Sequence, residues 1–213
     1  MQEKVKARGR LIVFEGIDGA GKTTQIRRLQ ERLEAEGRRV ECTAEPTDGT
    51  TGRMLRAALG GTETRTPCEM AALFTLDRIY HNVCPKTGIR ALLEEGVDVL
   101  CDRYYYSSLA YQGSQTDADW VKRMNLDCPE IERPALCVFL DLTPDESLER
   151  IRRGRTSQEI YENHDTLEAV RRCFYDVFSS LGEQEHIVIV NAARSVEEIA
   201  DEIYTLVRTL LDS

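Results

Sequence analysis

Short apolar runs alternate with stretches of helical periodicity along the whole chain. LIVFE (Leu11 to Glu15), RVECTAE (Arg39 to Glu45), VDVLCD (Val97 to Asp102), ALCVFLDL (Ala135 to Leu142) and HIVIV (His186 to Val190) are short and aliphatic or β-branched, which predicts five strands. The first, fourth and fifth are nearly continuous in apolar character, as parallel strands buried on both faces are. After the first run, Ile26, Leu29 and Leu33 recur at helical spacing from Thr23 until Gly37 stops them. Single strands alternating with helices predict an α/β fold, with a five-stranded parallel sheet flanked by helices in three layers.

Helix starts are legible as a hydroxyl followed three residues on by a glutamate: Thr66 with Glu69, Thr143 with Glu146, Ser195 with Glu198. The first two also carry proline at the first helical position, Pro67 and Pro144. No repeat, low-complexity tract or proline-rich linker divides the 213 residues, so they read as one domain.

Composition narrows the classes. Hydrophobic residues at 41% and charged residues at 31% exclude a mainly disordered chain. A formal net charge of −9 argues against nucleic acid or an acidic membrane surface as a partner, because both are bound through a basic surface. Apolar runs stay far below the roughly 20 residues that span a bilayer, and MQEKVKARGR lacks the apolar stretch of a signal peptide, so the expected setting is the cytoplasm. The seven cysteines show no CxxC pairing, which predicts reduced thiols, mostly small core residues, rather than a zinc site. His81, His164 and His186 have no ligand spacing and read as surface or strand-end residues.

Against that background the run after the first strand stands out. Gly16-Ile17-Asp18-Gly19-Ala20-Gly21-Lys22-Thr23 matches GxxxxGK[ST] in full, between a predicted strand and a predicted helix. Glycines let such a loop curl with its N–H groups inward, in front of a helix terminus whose dipole favours anions. This is the phosphate-binding loop of P-loop NTPases, and it would cradle ATP with residues Gly16 and Asp18 to Thr24. Lys22 would reach the β- and γ-phosphates and the Thr23 hydroxyl would meet Mg²⁺. An ordinary glycine turn is the plainer alternative. A GTPase would add NKxD, yet the four asparagines are followed by Val83, Leu126, His164 and Ala192, and the LSGGQ of ABC-type ATPases does not occur. A small-molecule kinase must instead hold a second substrate opposite the γ-phosphate.

Residues suited to that task sit at a predicted strand end, where ligands of open α/β sheets gather. Asp102 and Arg103 emerge there; a strand-end ion pair is the alternative. Asp102 also suits an outer-sphere or water-mediated contact with Mg²⁺. Phe74 and Arg78 lie four apart on a predicted helix and share a face, although an aromatic at that spacing is usually core. Arg150, Arg152, Arg153 and Arg155 surround Gly154, which reads either as a basic helix end or as a lid, approximately residues 150–163, that brings an arginine to the γ-phosphate.

FEGIDGAGKTTQ, the step Glu45-Pro46, LFTLDR, the triplet Asp102-Arg103-Tyr104 followed by SSLAYQG, and RRGR followed by YEN together resemble thymidylate kinases, in order and separation, over roughly residues 10 to 205. The resemblance implies transfer of the γ-phosphoryl group of MgATP to dTMP, giving ADP and dTDP. It implies that Asp18 binds the sugar 3′-hydroxyl and Arg103 the acceptor phosphate. Phe74 would stack on the pyrimidine and Arg78 bond its edge, with Ser108 and Tyr111 across the pocket and Glu45 beside it. Tyr161 would crowd the sugar 2′ position and Glu162 assist through metal or sugar. Gly19 follows Asp18 where some members carry arginine, so the arrangement looks bacterial, with Arg153 or Arg155 supplied by the lid. Similar enzymes are homodimers, and the apolar stretch from Met70 to Ile79 could serve. The chain departs from the bacterial pattern REPGG with Ala44-Glu45-Pro46-Thr47-Asp48, and Asn191 stands where aspartate is common. The family pattern also implies a cis bond at Glu45-Pro46. A kinase of another deoxynucleotide or deoxynucleoside, or an inactive ATP-binding regulatory module, remains open at this level.

Overall fold

A computed structural model describes residues 7–154 and 163–212. Its five strands, β1 (Leu11–Glu15), β2 (Val40–Ala44), β3 (Asp98–Asp102), β4 (Leu136–Asp141) and β5 (Ile187–Asn191), are the five expected from the sequence, within a few residues at each end. All pair in parallel in the order β2-β3-β1-β4-β5. The chain runs outward from β1 to one side for β2 and β3, then to the other for β4 and β5. Such a reversal opens a crevice beyond the carboxyl end of the central strand.

Alternation along β1 supplies both layers of core. Leu11 and Val13 face one side, with Val99, Cys101, Cys137 and Phe139. Ile12 and Phe14 face the other, with Leu100, Leu136, Val138 and Leu140. The first side is covered by α3 (Pro67–Val83), α4 (Ile89–Glu94), α5 (Tyr105–Tyr111), α6 (Ala118–Leu126) and α8 (His164–Leu181). The second is covered by α1 (Lys22–Ala35) and α9 (Val196–Leu211). Helices α2 (Thr50–Leu59) and α7 (Pro144–Gly154) flank the crevice.

The predicted caps form. Thr66 with Glu69 and Ser195 with Glu198 make reciprocal capping boxes, and Thr143 exchanges the same bonds with Glu146 at the start of α7. Three expectations need correction. β5 is an edge strand, with Ile189 46% exposed, because β4 is its only strand partner among the described residues. Its continuous apolar run therefore does not mark burial on both faces. Of the cysteines, Cys101 and Cys137 are buried in strands, Cys68 is exposed and the remaining four are half-buried; all seven are free. His81 is buried rather than superficial, because α3 turns it toward a carboxylate described below. Among the described residues no helix is long and apolar enough to cross a membrane.

Candidate active site

A cavity of about 820 Å³ opens beyond the carboxyl ends of the central strands. One end is the glycine loop. Gly16 and Gly19 have φ of 143° and 75°. A Cβ on Gly16 would lie 2.6 Å from the Leu140 carbonyl oxygen, and one on Gly19 2.8 Å from that of Ser147, so both shape and crowding demand glycine. Asp18, Gly19 to Gly21 and Lys22 to Thr24 line the cavity, whereas Gly16 supports the loop from beneath, against β4. Lys22, at the start of α1, is buried and donates from Nζ to the carbonyls of Gly16 and Ile17 at 2.9 and 3.2 Å. Burial and the nearby Arg103 charge lower its pKa, while Asp102, Asp18 and Glu15 oppose the shift. Ser147 ties α7 to the loop by donating from Oγ to the Asp18 carbonyl.

Thr23 Oγ1 donates to Asp102 Oδ2 at 3.0 Å, and both residues line the cavity beside Lys22. A hydroxyl and a carboxylate side by side are the oxygen donors that a hard divalent cation takes from a protein when phosphates supply the rest. Among the described residues no group of three or more His, Cys, Asp or Glu side chains is poised to hold a metal.

Arg103 follows β3 with φ of 68°, a left-handed conformation that costs a non-glycine residue roughly 1 kcal/mol or more. Its guanidinium meets Asp18 Oδ1 at 2.5 Å and Ser107 Oγ at 3.1 Å, and lies over the Tyr111 ring at 5.5 Å. The glycine loop and the β3 end are thereby joined across the cavity. Phe74 and Arg78, one turn apart on α3, both line it. Arg78 is 1% exposed. It donates to Glu45, Asn125 and Ser108. Glu45 in turn meets His81 Nδ1 at 3.0 Å, and His81 Nε2 meets Thr43 Oγ1 at 2.7 Å. The Glu45-Pro46 bond is cis, as the family pattern implied.

Not every expected residue reaches the cavity. Ser108 sits behind Arg78, and its neighbour Ser107 lines the cavity instead. Arg153 points outward, 76% exposed and paired with Glu149 one turn earlier. Arg155, Tyr161 and Glu162 lie outside the described residues, and the first part of the expected lid, Arg150 to Gly154, is the last turn of α7. Three further arginines line the cavity: Arg56 and Arg194, which sequence reasoning did not single out, and Arg150, which it placed in the lid cluster but behind Arg153 and Arg155. Arg56 reaches the carbonyls of Pro46 and Thr47, Arg150 that of Ala192, and Arg194 that of Asn191. The helical pattern held a signal for Arg150, which lies beside Ile151 and three residues after Ser147, both buried. Val196 and Ile199 add an apolar wall at the same end as Arg194.

A family model described as thymidylate kinase matches residues 14–203. A probable thymidylate kinase of Pyrococcus horikoshii is 39% identical, covering 94% of this chain and 97% of that protein. One from Archaeoglobus fulgidus is 34% identical, over 95% and 96%. A thymidylate kinase of Bifidobacterium longum subsp. infantis is 33% identical, over 95% and 88%. The solved structure of a thymidylate kinase from Candida albicans has the same fold, with a TM-score of 0.76 at 23% identity over 95% of this chain and 92% of that one.

Proposed function

The chain belongs to the thymidylate kinase family, and from that premise we propose how its residues divide the work of moving the γ-phosphoryl group of ATP to dTMP, giving ADP and dTDP. Two polyanions must meet, and their repulsion is relieved by fixed cations lining the cavity. Residues Asp18 to Thr24 hold the donor phosphates through backbone N–H groups, with Lys22 leaving its loop carbonyls for the β- and γ-oxygens. Arg103 grips the acceptor phosphate, and Asp18 exchanges its contact with Arg103 for the sugar 3′-hydroxyl of dTMP. Phe74 stacks on the pyrimidine, while Arg78, its guanidinium direction set by Glu45, Asn125 and Ser108, bonds the base edge. Glu45 thus acts through Arg78, and Tyr111 closes the pocket over Arg103. Tyr161 keeps the role that the family pattern implies at the sugar, and Glu162 the one it implies through metal or sugar.

Arg150 is the lid-side arginine that this arrangement favours for the donor phosphates, with Arg155 a second candidate and Arg153 the weakest. The acceptor phosphate is already ionised, so no side chain need act as general base; positioning and charge carry the rate. Thr23 and Asp102, directly or through water, would hold Mg²⁺, whose charge would neutralise the phosphates between them. The product lacks one phosphoryl group of dTTP, so the reaction belongs to the cytoplasmic supply of DNA precursors. Leu76, Tyr80 and Val83, each at least 40% exposed, form an apolar stripe on α3 that suits a homodimer interface.

The observation that carries these assignments is the contact between Asp18 of the glycine loop and Arg103 of the β3 end inside one cavity that also holds Phe74 and Arg78. The test is ADP release with ATP and each of dTMP, dUMP, dCMP, dGMP and thymidine. Fastest turnover is expected with dTMP; a preference for thymidine, or no turnover with any monophosphate, would overturn it.

A further inference from the structure

Glu15 has no part in the roles assigned so far. It ends β1 immediately before Gly16 and is fully buried. One carboxylate oxygen accepts the backbone N–H of Tyr104 at 2.8 Å and of Ser107 at 3.1 Å. The other accepts the Ser107 hydroxyl at 2.6 Å, and that hydroxyl oxygen accepts Nη1 of Arg103 at 3.1 Å. Helix α5 begins at Tyr105, with Tyr104 as its cap residue and no capping side chain of its own. In a capping box the cap side chain takes the N–H of the third helical residue, whose own side chain returns to the cap N–H. Here a carboxylate 89 residues away from Tyr104 takes both N–H groups.

Arg103 is trapped between that cap and Asp102. A left-handed non-glycine residue persists when its surroundings over-determine it. The surroundings at this point include the Arg103 N–H, bonded to the Phe14 carbonyl, and the Tyr104 N–H and Ser107 hydroxyl, both bound to Glu15. Burying a carboxylate is costly unless it is bonded. Burial accordingly pushes the Glu15 pKa up, while Arg103, Ser107 and the Tyr104 N–H hold it down.

We propose that Glu15 is a positioning residue for phosphoryl transfer: through Ser107 and the Tyr104 backbone it aims the Arg103 guanidinium at the acceptor phosphate. The strand that carries the donor-phosphate loop would then also set the direction of the acceptor arginine, giving both phosphates one rigid reference. This rests on Arg103 gripping the acceptor phosphate, as assigned above.

Glu15→Gln keeps the size of the side chain but offers an amide where Ser107 donates. Kinetics with ATP and dTMP and thermal melts are measured for Glu15→Gln, Ser107→Ala, their double variant, and each combined with Arg103→Ala. Glu15→Gln is expected to lower kcat/KM for dTMP on the order of 10- to 100-fold, with KM for ATP within about twofold. Ser107→Ala is expected to lose roughly tenfold, the double no more than Glu15→Gln alone, and either change in the Arg103→Ala background less than about twofold further. A lower melting temperature with unchanged kcat/KM, a parallel rise in both KM values, or additive losses would reduce Glu15 to a cap of α5 and overturn the proposal. Should Glu15→Gln fail to fold, additivity between Ser107→Ala and Arg103→Ala is sufficient to overturn it. Wild-type enzyme that turns over dTMP beside an insensitive Glu15→Gln removes this inference alone; wild-type enzyme inert toward dTMP removes the acceptor assignment as well, and this inference with it.

Discussion

The two ends of the cavity are made of different material. At the end proposed for the donor a contiguous stretch, Asp18 to Thr24, lines the cavity, with Lys22 buried within it and Arg150 and Arg194 also on the cavity wall. At the acceptor end Arg78 and Arg103 are held by side chains from separate parts of the chain: Asp18 in the loop, Glu45 after β2, Ser107 and Ser108 on α5, and Asn125 on α6. A cradle of backbone depends on shape, so it fails when the shape is blocked. A set of buried or partly buried cations depends on the balance of its partners, so it fails by degrees as partners are removed.

The largest effect expected is at the cradle. Gly16→Ala would set a Cβ 2.6 Å from the Leu140 oxygen at a φ of 143°, and turnover should fall by about 10³ or more with a lower melting temperature. Comparable turnover in this variant would show that the loop is not shape-limited. Next comes Arg103→Ala, expected to lower kcat/KM for dTMP by roughly 10² to 10³ while ATP affinity, followed by calorimetry, stays within about threefold. Loss of ATP affinity to the same extent would erase the distinction between the ends.

Failure by degrees is sharpest at Glu45. Glu45→Ala leaves the Arg78 guanidinium, 1% exposed, without its carboxylate. Urea unfolding should then lose about 3–5 kcal/mol, the ordinary result of breaking a buried pair. KM for dTMP should rise on the order of tenfold, less than for Arg103→Ala. Smallest is the contrast on α7. Arg150→Ala should raise KM for ATP by about tenfold, whereas Arg153→Ala, which removes an exposed pair with Glu149, should change it less than about twofold. The reverse order would return the donor contact to the outer face of the helix.

Local features were readable in the sequence because their causes are local. The strands, the caps at Thr66, Thr143 and Ser195, and the glycine loop each depend on residues within one turn or one strand. Family resemblance, rather than periodicity, supplied the roles proposed for Arg78 and Arg103. What escaped was set by tertiary neighbours. Burial of His81 depends on Glu45, 36 residues away, and the role of Glu15 on a helix 89 to 92 residues away. Ser107 and Ser108 cannot be told apart by residue type, because the phase of α5 decides which faces the cavity and which lies behind Arg78. Arg150 and Arg153 differ in the same way on α7.

That the two nucleotides lie head to head between Lys22 and Arg103 is tested most directly by one affinity measurement, using adenosine and thymidine joined 5′ to 5′ through five phosphates. Calorimetric titration should show this ligand binding far more tightly than ATP or dTMP alone, and both Lys22→Ala and Arg103→Ala should weaken it by at least about tenfold. Unchanged affinity in either variant contradicts a single cavity shared by donor and acceptor.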